Sequence, residues 1–380
     1  MSEQIFTNAK IVLADEVMEG SIVIRDGVIM DVDDKSSDVS GVLDLEGDYL
    51  MPGFVELHTD NLEKLMTPRP KAEWPPISAI IAHDGQMAIN GITTVLDAMG
   101  LGDVNQGSAR ISQLNDMIVG IGEAQDKNLL RAEHYLHLRC EVSYPDMAKV
   151  LDRHIDKPSI RLLSVMDHTP GQRQFVSLDA YYTYYQGKYG LSDSEMKDFI
   201  VSRKRDHLQY SQEHRLLGVN LAQEHNIVLA SHDDATVEHV SDAVEDGIKV
   251  AEFPTTIEAA KASHEAGLQV LMGGPNIVRG KSHSGNVSAR DLAKLGYLDV
   301  ISSDYVPHSL LFSAMQLAED FEDISLPHAI RLISKTPALS IGFADRGEIA
   351  VGKRADLVHV RHEPHHPIIR GVWSKGRRVA

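Results

Sequence analysis

The sequence has 380 residues, enough for one large barrel domain with a smaller domain attached. Its 55 Asp and Glu residues outnumber 37 Lys and Arg residues, and the formal charge of -18 argues against nucleic-acid binding through a global positive field. A hydrophobic fraction of 43% with a mean hydropathy of -0.19 is typical of a soluble globular protein.

The sequence shows no membrane or export pattern. No apolar run approaches the roughly 18–20 residues that a membrane span needs, so we expect no membrane association. The N-terminal residues have no basic start followed by an apolar core, which argues against a signal peptide. A single cysteine, Cys140, excludes an internal disulfide and suits a reducing compartment. We therefore expect a cytoplasmic protein.

Short segments of β type occur at both ends of the chain. β-branched runs flank a hairpin signal at Asp26-Gly27, and similar short β-type segments occur again from residue 347 onward. We predict that residues 1–52 and 343–380 together form one small discontinuous β-sandwich domain. Two separate β arms, each packed on the core, are the alternative.

The middle of the chain alternates between strand and helix patterns. The predicted strands cover residues 54–58, 92–97, 135–141, 161–166, 227–231, 249–253, 269–272 and 299–302. Helical patterns lie between most of them, at residues 77–90, 109–127, 237–245, 257–266 and 289–295. This alternation predicts an α/β fold, a (β/α)8 TIM-type barrel over residues 53–342 with an insertion near 176–225. A doubly wound open sheet is the competitor, but no Gly-rich dinucleotide fingerprint follows the first strand.

Residues of metal-ligand type stand at the ends of the predicted strands. His58 and Asp60 are two positions apart, so on a strand both side chains point the same way. Each such residue alone is more often a strand cap or a buried polar group. Several at equivalent places on one barrel rim indicate a metal centre, because clustered charges there are costly without a cation. The strand ends that carry them are His58-Thr59-Asp60, Glu141, Asp167-His168, His232-Asp233-Asp234 and Asp304.

These residues resemble the ligand pattern of the amidohydrolase superfamily, with His-x-Asp in place of the usual His-x-His on the first strand. The resemblance covers the stretches at residues 56–64, 66–70, 166–175, 230–236, 251–256, 275–286 and 302–305, together with both terminal pieces. It implies two divalent ions, zinc first, with manganese or iron also accepted. It implies that His58 and Asp60 bind one ion, that Glu141 bridges, and that His168 and His232 bind the other. Asp304 would touch the metal and act as the catalytic base.

Within the superfamily, the same stretches resemble a branch that cleaves the triphosphate of a ribose carrying a methylphosphonate. This implies an anionic sugar-phosphate as the partner, and hydrolysis to the 5-phosphate and pyrophosphate in phosphonate catabolism. Such a substrate needs cations besides the metals. The candidates are Lys64, Arg69, Arg139, Arg173, Arg279, Lys281 and His283. For each one alone, a solvated surface charge is an equally good interpretation.

Several alternatives stay open. A hydrolase acting on a C–N bond is the first rival function, and a barrel that binds without catalysis is the second. A homo-oligomer is also compatible with the sequence.

The superfamily usually carries the bridging carboxylate and the two later histidines on strands three or four, five and six, whereas our count gives three, four and five. Either a strand near residues 99–104 is missed, or one predicted strand lies outside the barrel. We interpret His83 and His137 as hydrogen-bonding or packing residues rather than ligands.

Overall fold

Two sheets organise the chain in the computed structural model, which describes residues 3–69, 71–103, 109–173, 178–282, 285–363 and 365–380. The N-terminal part contributes β1 (Glu3–Val12), β2 (Val17–Arg25), β3 (Val28–Asp33), β4 (Leu43–Asp44) and β5 (Tyr49–Pro52). The hairpin between β2 and β3 turns at Asp26 and Gly27, both at positive φ, as the sequence predicts.

Eight parallel strands then form the barrel. They are β6 (Phe54–Thr59), β7 (Ile92–Leu101), β8 (Glu133–Glu141), β9 (Ile160–Met166), β10 (Val228–His232), β11 (Val250–Glu252), β12 (Gln269–Gly273) and β13 (Val300–Ser302). Each strand pairs with its neighbours in chain order. A bridge between Thr59 and Asp304 brings the first and last strands together. All eight predicted strands are confirmed, so both explanations for a miscount are wrong: residues 99–101 simply extend β7.

The barrel interior is filled by apolar residues that alternate with outward-facing ones along the strands. The inner cluster takes residues from nearly every strand: Val55, Leu57, Leu96, Leu162, Ala230, Val250, Leu271 and Val300. This packed apolar core fills the barrel below its rim.

Helices cover the outside of the barrel. They are α1 (Asn61–Met66), α2 (Pro76–Ile89), α3 (Ala109–Asp126), α4 (Met147–His154), α5 (Leu178–Tyr189), α6 (Asp193–Glu224), α7 (Val237–Glu245), α8 (Ile257–Glu265), α9 (Gly274–Arg279), α10 (Ala289–Leu295), α11 (Ser309–Asp320), α12 (Leu326–Arg331) and α13 (Lys335–Ser340). The predicted helices are confirmed, and the predicted insertion contains α5 and α6. Thr236 and Thr256 start α7 and α8 as N-caps, each accepting a backbone N–H of the first turn. In the described part of the chain, no helix is long and apolar enough to cross a membrane.

The chain ends in β14 (Leu357–Glu363), β15 (His366–Ser374) and β16 (Arg377–Arg378), which return to the N-terminal strands. β14 pairs antiparallel with β5, so both termini belong to one sheet of order β16-β15-β14-β5-β1-β2-β3, with β4 on β1. Ile22 and Ile24 from one end of this order share a core with Trp373 from the other end. The sheet therefore folds over its own core, as a sandwich does, and the alternative of two separate arms is wrong. The domain boundaries after residues 52 and 342 stay a prediction.

Candidate metal and phosphate site

The candidate site is a cavity of about 400 Å³ at the carboxyl end of the barrel strands. Because the strands are parallel, their ends meet at one rim. The cavity wall includes five of the six predicted metal ligands: His58, Asp60, His168, His232 and Asp304. The sixth, Glu141, lies directly behind His168 and is hydrogen-bonded to it.

His58, at the end of β6, is fully buried and held from behind by a carboxylate. Its Nδ1 lies 2.9 Å from Oε1 of Glu252 and is placed to donate a hydrogen bond to that carboxylate. Nε2 then keeps a free lone pair, which is the form of imidazole that binds metal ions. Asp60 follows two residues later, and its Oδ1 is buried with no hydrogen-bond partner among the described residues. A buried carboxylate oxygen without a donor fits a cation ligand.

His168 shows the same arrangement with a different carboxylate. Its Nδ1 lies 2.6 Å from Oε2 of Glu141, while Oε1 of Glu141 accepts the Ser143 hydroxyl at 2.7 Å and the His168 backbone N–H at 3.2 Å. Burial alone would lower the pKa of His168, but the charge and hydrogen bond of Glu141 raise it. Both oxygens of Glu141 are thus occupied by hydrogen bonds.

His232, at the end of β10, completes the set of histidines. Its Nδ1 lies 3.3 Å from Oε2 of Glu252, and burial lowers the pKa of this ring to about 3. The ring is therefore neutral at pH 7 and available as a ligand. Its Nε2 lies 3.5 Å from Oδ2 of Asp233 and 3.4 Å from the Arg139 guanidinium.

Asp233 lies in one of the strand-end runs noted in the sequence, but the sequence reasoning missed it as a ligand. It adopts a left-handed backbone conformation, with φ of 58°, which turns its carboxylate back into the cavity. Oδ2 lies 3.7 Å from Nε2 of His168 as well as near His232, and ligand atoms of the three residues lie within 4.8 Å of one another. Burial raises the pKa of Asp233 to about 6. Two imidazole nitrogens and one carboxylate oxygen are ligand types of divalent metals such as zinc, so the donor set fits.

Asp304 lies just after β13 and is fixed by the barrel seam. Its backbone N–H donates to the His58 carbonyl at 3.1 Å, and its own carbonyl accepts the Asp60 N–H at 3.3 Å. Burial, and then the neighbouring Asp60 charge, raise the pKa of Asp304 to about 7. This carboxyl therefore exchanges protons near neutral pH and lies beside the proposed ligands of β6.

Glu252 is the second residue that the sequence reasoning missed. It ends β11, so the strand-end rule that selected His58 could have found it as well. Its oxygens meet rings from β6 and β10 and the Ser164 hydroxyl of β9. Burial alone would raise the pKa of Glu252, but the adjacent His137 and His58 rings outweigh that effect and hold it well below its usual range. An anionic carboxylate therefore lies beneath the cavity.

The cavity also carries positive charge. Four of the predicted substrate cations belong to its wall: Lys64, Arg139, Arg279 and Lys281. Arg279 ends α9 and Lys281 follows it, and both side chains are exposed. Lys64 donates to the Tyr305 carbonyl at 2.8 Å. These cations share the wall with the carboxylates Asp60, Asp233 and Asp304, and their N–H groups can bind the oxygens of an anionic ligand.

Three other predicted substrate residues are not brought to the wall. Arg69 is exposed on a turn outside the described cavity wall. Arg173 is buried, and its guanidinium pairs with Asp234 behind the site. His283 lies outside the described residues.

His83 and His137, which we interpret from the sequence as hydrogen-bonding or packing residues, make hydrogen bonds, and each also belongs to a group of side chains whose ligand atoms lie within 4.8 Å of one another. His137 Nδ1 lies 3.0 Å from the Leu57 carbonyl. His83 belongs to a second buried cluster, away from the described cavity wall, in which Asp97 lies 2.7 Å from His83 and 2.8 Å from His134. This cluster is close in chemistry to the Glu252 group, because one carboxylate again serves two imidazoles.

Comparison with known proteins gives the family. The chain is 46% identical to the alpha-D-ribose 1-methylphosphonate 5-triphosphate diphosphatase of Escherichia coli (strain K12), over 376 residues that cover 99% of this chain and 100% of that protein. The Amidohydrolase family model matches residues 191–379.

Solved structures of lower identity share the fold. The N-isopropylammelide isopropylaminohydrolase from Burkholderia multivorans ATCC 17616 has a TM-score of 0.67 at 16% identity, covering 100% of this chain and 98% of that chain. The N-acetylglucosamine-6-phosphate deacetylase from Pasteurella multocida has a TM-score of 0.61 at 14% identity, covering 99% of each chain. The full-length match to the diphosphatase and the match to the family model show that the chain belongs to the amidohydrolase family, whose members are metal-dependent hydrolases.

Proposed function

We propose that the protein hydrolyses alpha-D-ribose 1-methylphosphonate 5-triphosphate to the 5-phosphate and pyrophosphate, as a step in phosphonate catabolism. The observation that carries this proposal is the composition of the cavity, in which metal-ligand side chains and four cationic side chains line the same wall. A triphosphate with a phosphonate carries several negative charges, which this wall can neutralise. The relative named for this substrate is similar over its full length.

We propose two divalent ions, with zinc as the first candidate and manganese or iron as alternatives that the same ligand types accept. His58, Asp60 and Asp304 would hold one ion. The buried unpartnered oxygen of Asp60 and the free Nε2 of His58 support this assignment.

The second ion would be held by His168 and His232, with Asp233 as the carboxylate that faces both rings. The bridging role expected of Glu141 stays a prediction, because hydrogen bonds from His168 and Ser143 occupy both of its oxygens in this structure.

Each group then has a separate role in the reaction. When bound, divalent ions lower the pKa of water and neutralise phosphate oxygens. Asp304 accepts the proton of the attacking water. The water oxygen bonds to the phosphorus next to the ribose, and the anhydride bond to the middle phosphorus breaks. Pyrophosphate leaves, and the 5-phosphate keeps the new oxygen. Lys64, Arg139, Arg279 and Lys281 hold the phosphate oxygens through the displacement.

Hydrolysis in oxygen-18 water tests both the substrate and the point of attack. We expect pyrophosphate without label and one labelled oxygen in the 5-phosphate, as measured by mass spectrometry of both products. Label found only in pyrophosphate would refute attack next to the ribose. Hydrolysis of an N-acyl panel with no cleavage of the triphosphate would refute the proposed function and favour C–N chemistry.

A further inference from the structure

Glu252 connects ligands from two different strands. It is almost completely buried, with 1% of its surface exposed. Oε1 lies 2.9 Å from Nδ1 of His58, and Oε2 lies 3.3 Å from Nδ1 of His232. One carboxylate therefore contacts one histidine of each proposed metal position, on the side of the ring that faces away from the cavity.

The positions of these groups orient both rings, because each Nδ1 faces a carboxylate oxygen of Glu252. An ionised carboxylate only accepts, so each Nδ1 that faces Glu252 must carry a proton. A neutral imidazole has one proton, and a neutral ring that donates it from Nδ1 keeps its lone pair on Nε2. His58 and His232 are thus set in the one tautomer that can bind metal ions through Nε2.

The carboxylate itself is held in place from below. The Ser164 hydroxyl of β9 donates to Oε2 at 2.5 Å, and Nε2 of His137 lies 3.7 Å from Oε1. With neighbours on β6, β8, β9 and β10, Glu252 cannot rotate without losing several hydrogen bonds at once. The group is therefore rigid.

We propose that Glu252 is a positioning residue that sets His58 and His232 in the same tautomer and orientation, and so couples the two metal positions. This inference rests on the metal centre of the proposed function. It predicts that loss of the carboxylate weakens metal binding although Glu252 touches no metal.

Glu252→Gln is the decisive variant, because glutamine keeps the size but offers one acceptor oxygen and one NH2 group. The oxygen can serve one ring, while the NH2 group faces the other Nδ1 and forces that ring to carry its proton on Nε2. That ring can no longer bind metal through Nε2. We expect the affinity for one of the two zinc ions to fall about 10- to 100-fold, as for other carboxylates that orient metal-bound histidines. Competition with a chromophoric chelator measures it.

Asp97→Asn is the matched control. Asp97 is also a buried carboxylate between two imidazoles, but neither His83 nor His134 belongs to the described cavity wall. We expect this variant to lower the melting temperature of the metal-free protein and to leave zinc affinity unchanged.

The outcomes separate the inference from the proposed function. Zinc binding by Glu252→Gln equal to that of the wild type would overturn the inference, and so would an equal loss in Asp97→Asn. A wild-type protein that binds no divalent ion would overturn the proposed function instead. If Glu252→Gln does not fold, Glu252→Asp keeps the charge but is too short to reach both rings. This variant should also have a lower affinity for one zinc ion. Wild-type affinity for both ions would overturn the inference.

Discussion

Each candidate histidine ligand in the cavity has a carboxylate beside its Nδ1 atom. Nδ1 faces a carboxylate, Glu252 for His58 and His232 and Glu141 for His168, which leaves Nε2 for the cavity. Since a carboxylate accepts but does not donate, these partners favour the neutral tautomer with its proton on Nδ1. In that tautomer, Nε2 of each ring is available to a metal ion.

The cationic rim gives a prediction at single residues. Replacing Arg279 or Lys281 with alanine removes a charge that we assign to the phosphates, so KM for the triphosphate should rise about tenfold per side chain with a smaller change in kcat. Steady-state kinetics measure both constants. Lys294→Ala, an exposed lysine on α10, is the control and should behave as the wild type. Unchanged KM in the Arg279 and Lys281 variants would remove them from the binding site.

At the scale of elements, the strands and helices of the barrel were predictable because each carries its own hydrophobic period. The ligand-bearing strand ends followed from the rule that active sites lie at the carboxyl rim. The positions of two side chains could not be predicted from the sequence. Asp233 reaches the cavity through a left-handed backbone conformation, which no sequence period encodes. Arg173 turned out to be neutralised by Asp234, and such pairing depends on side-chain directions behind the rim.

The junction between the two sheets gives a prediction for an element boundary. Gly53 separates β5 from β6, and a Cβ added there would lie 2.4 Å from Thr93 Oγ1 and 2.8 Å from the Asp356 Cβ. Gly53→Ala should therefore destabilise the protein by about 1–3 kcal/mol through overpacking. Thermal and urea unfolding measure it.

Gly122→Ala on α3 is the matched control for that change. A Cβ there meets nothing within 4 Å, and alanine favours a helix interior, so stability should be unchanged or rise by up to about 1 kcal/mol. Equal stability of Gly53→Ala and the wild type would show that the junction has free space.

At the scale of the whole molecule, strong negative charge and an anionic substrate are compatible because charge is distributed unevenly. The formal charge is -18, yet four cations line one cavity. Sequence composition excludes a positive field over the whole protein, but it does not show where individual cations cluster. The return of the C-terminal strands to β5 was also predictable in outline. Its register, such as Leu50 opposite His359, depends on contacts between residues more than 300 positions apart.

Turnover by purified protein of measured metal content tests the central claim most directly. With alpha-D-ribose 1-methylphosphonate 5-triphosphate as substrate, we expect pyrophosphate and the 5-phosphate in equal amounts by phosphorus NMR. Activity should vanish when a chelator strips the metal and return in proportion to the zinc or manganese restored. Metal-loaded protein that leaves the triphosphate intact, or cleaves it equally well without metal, would contradict the account.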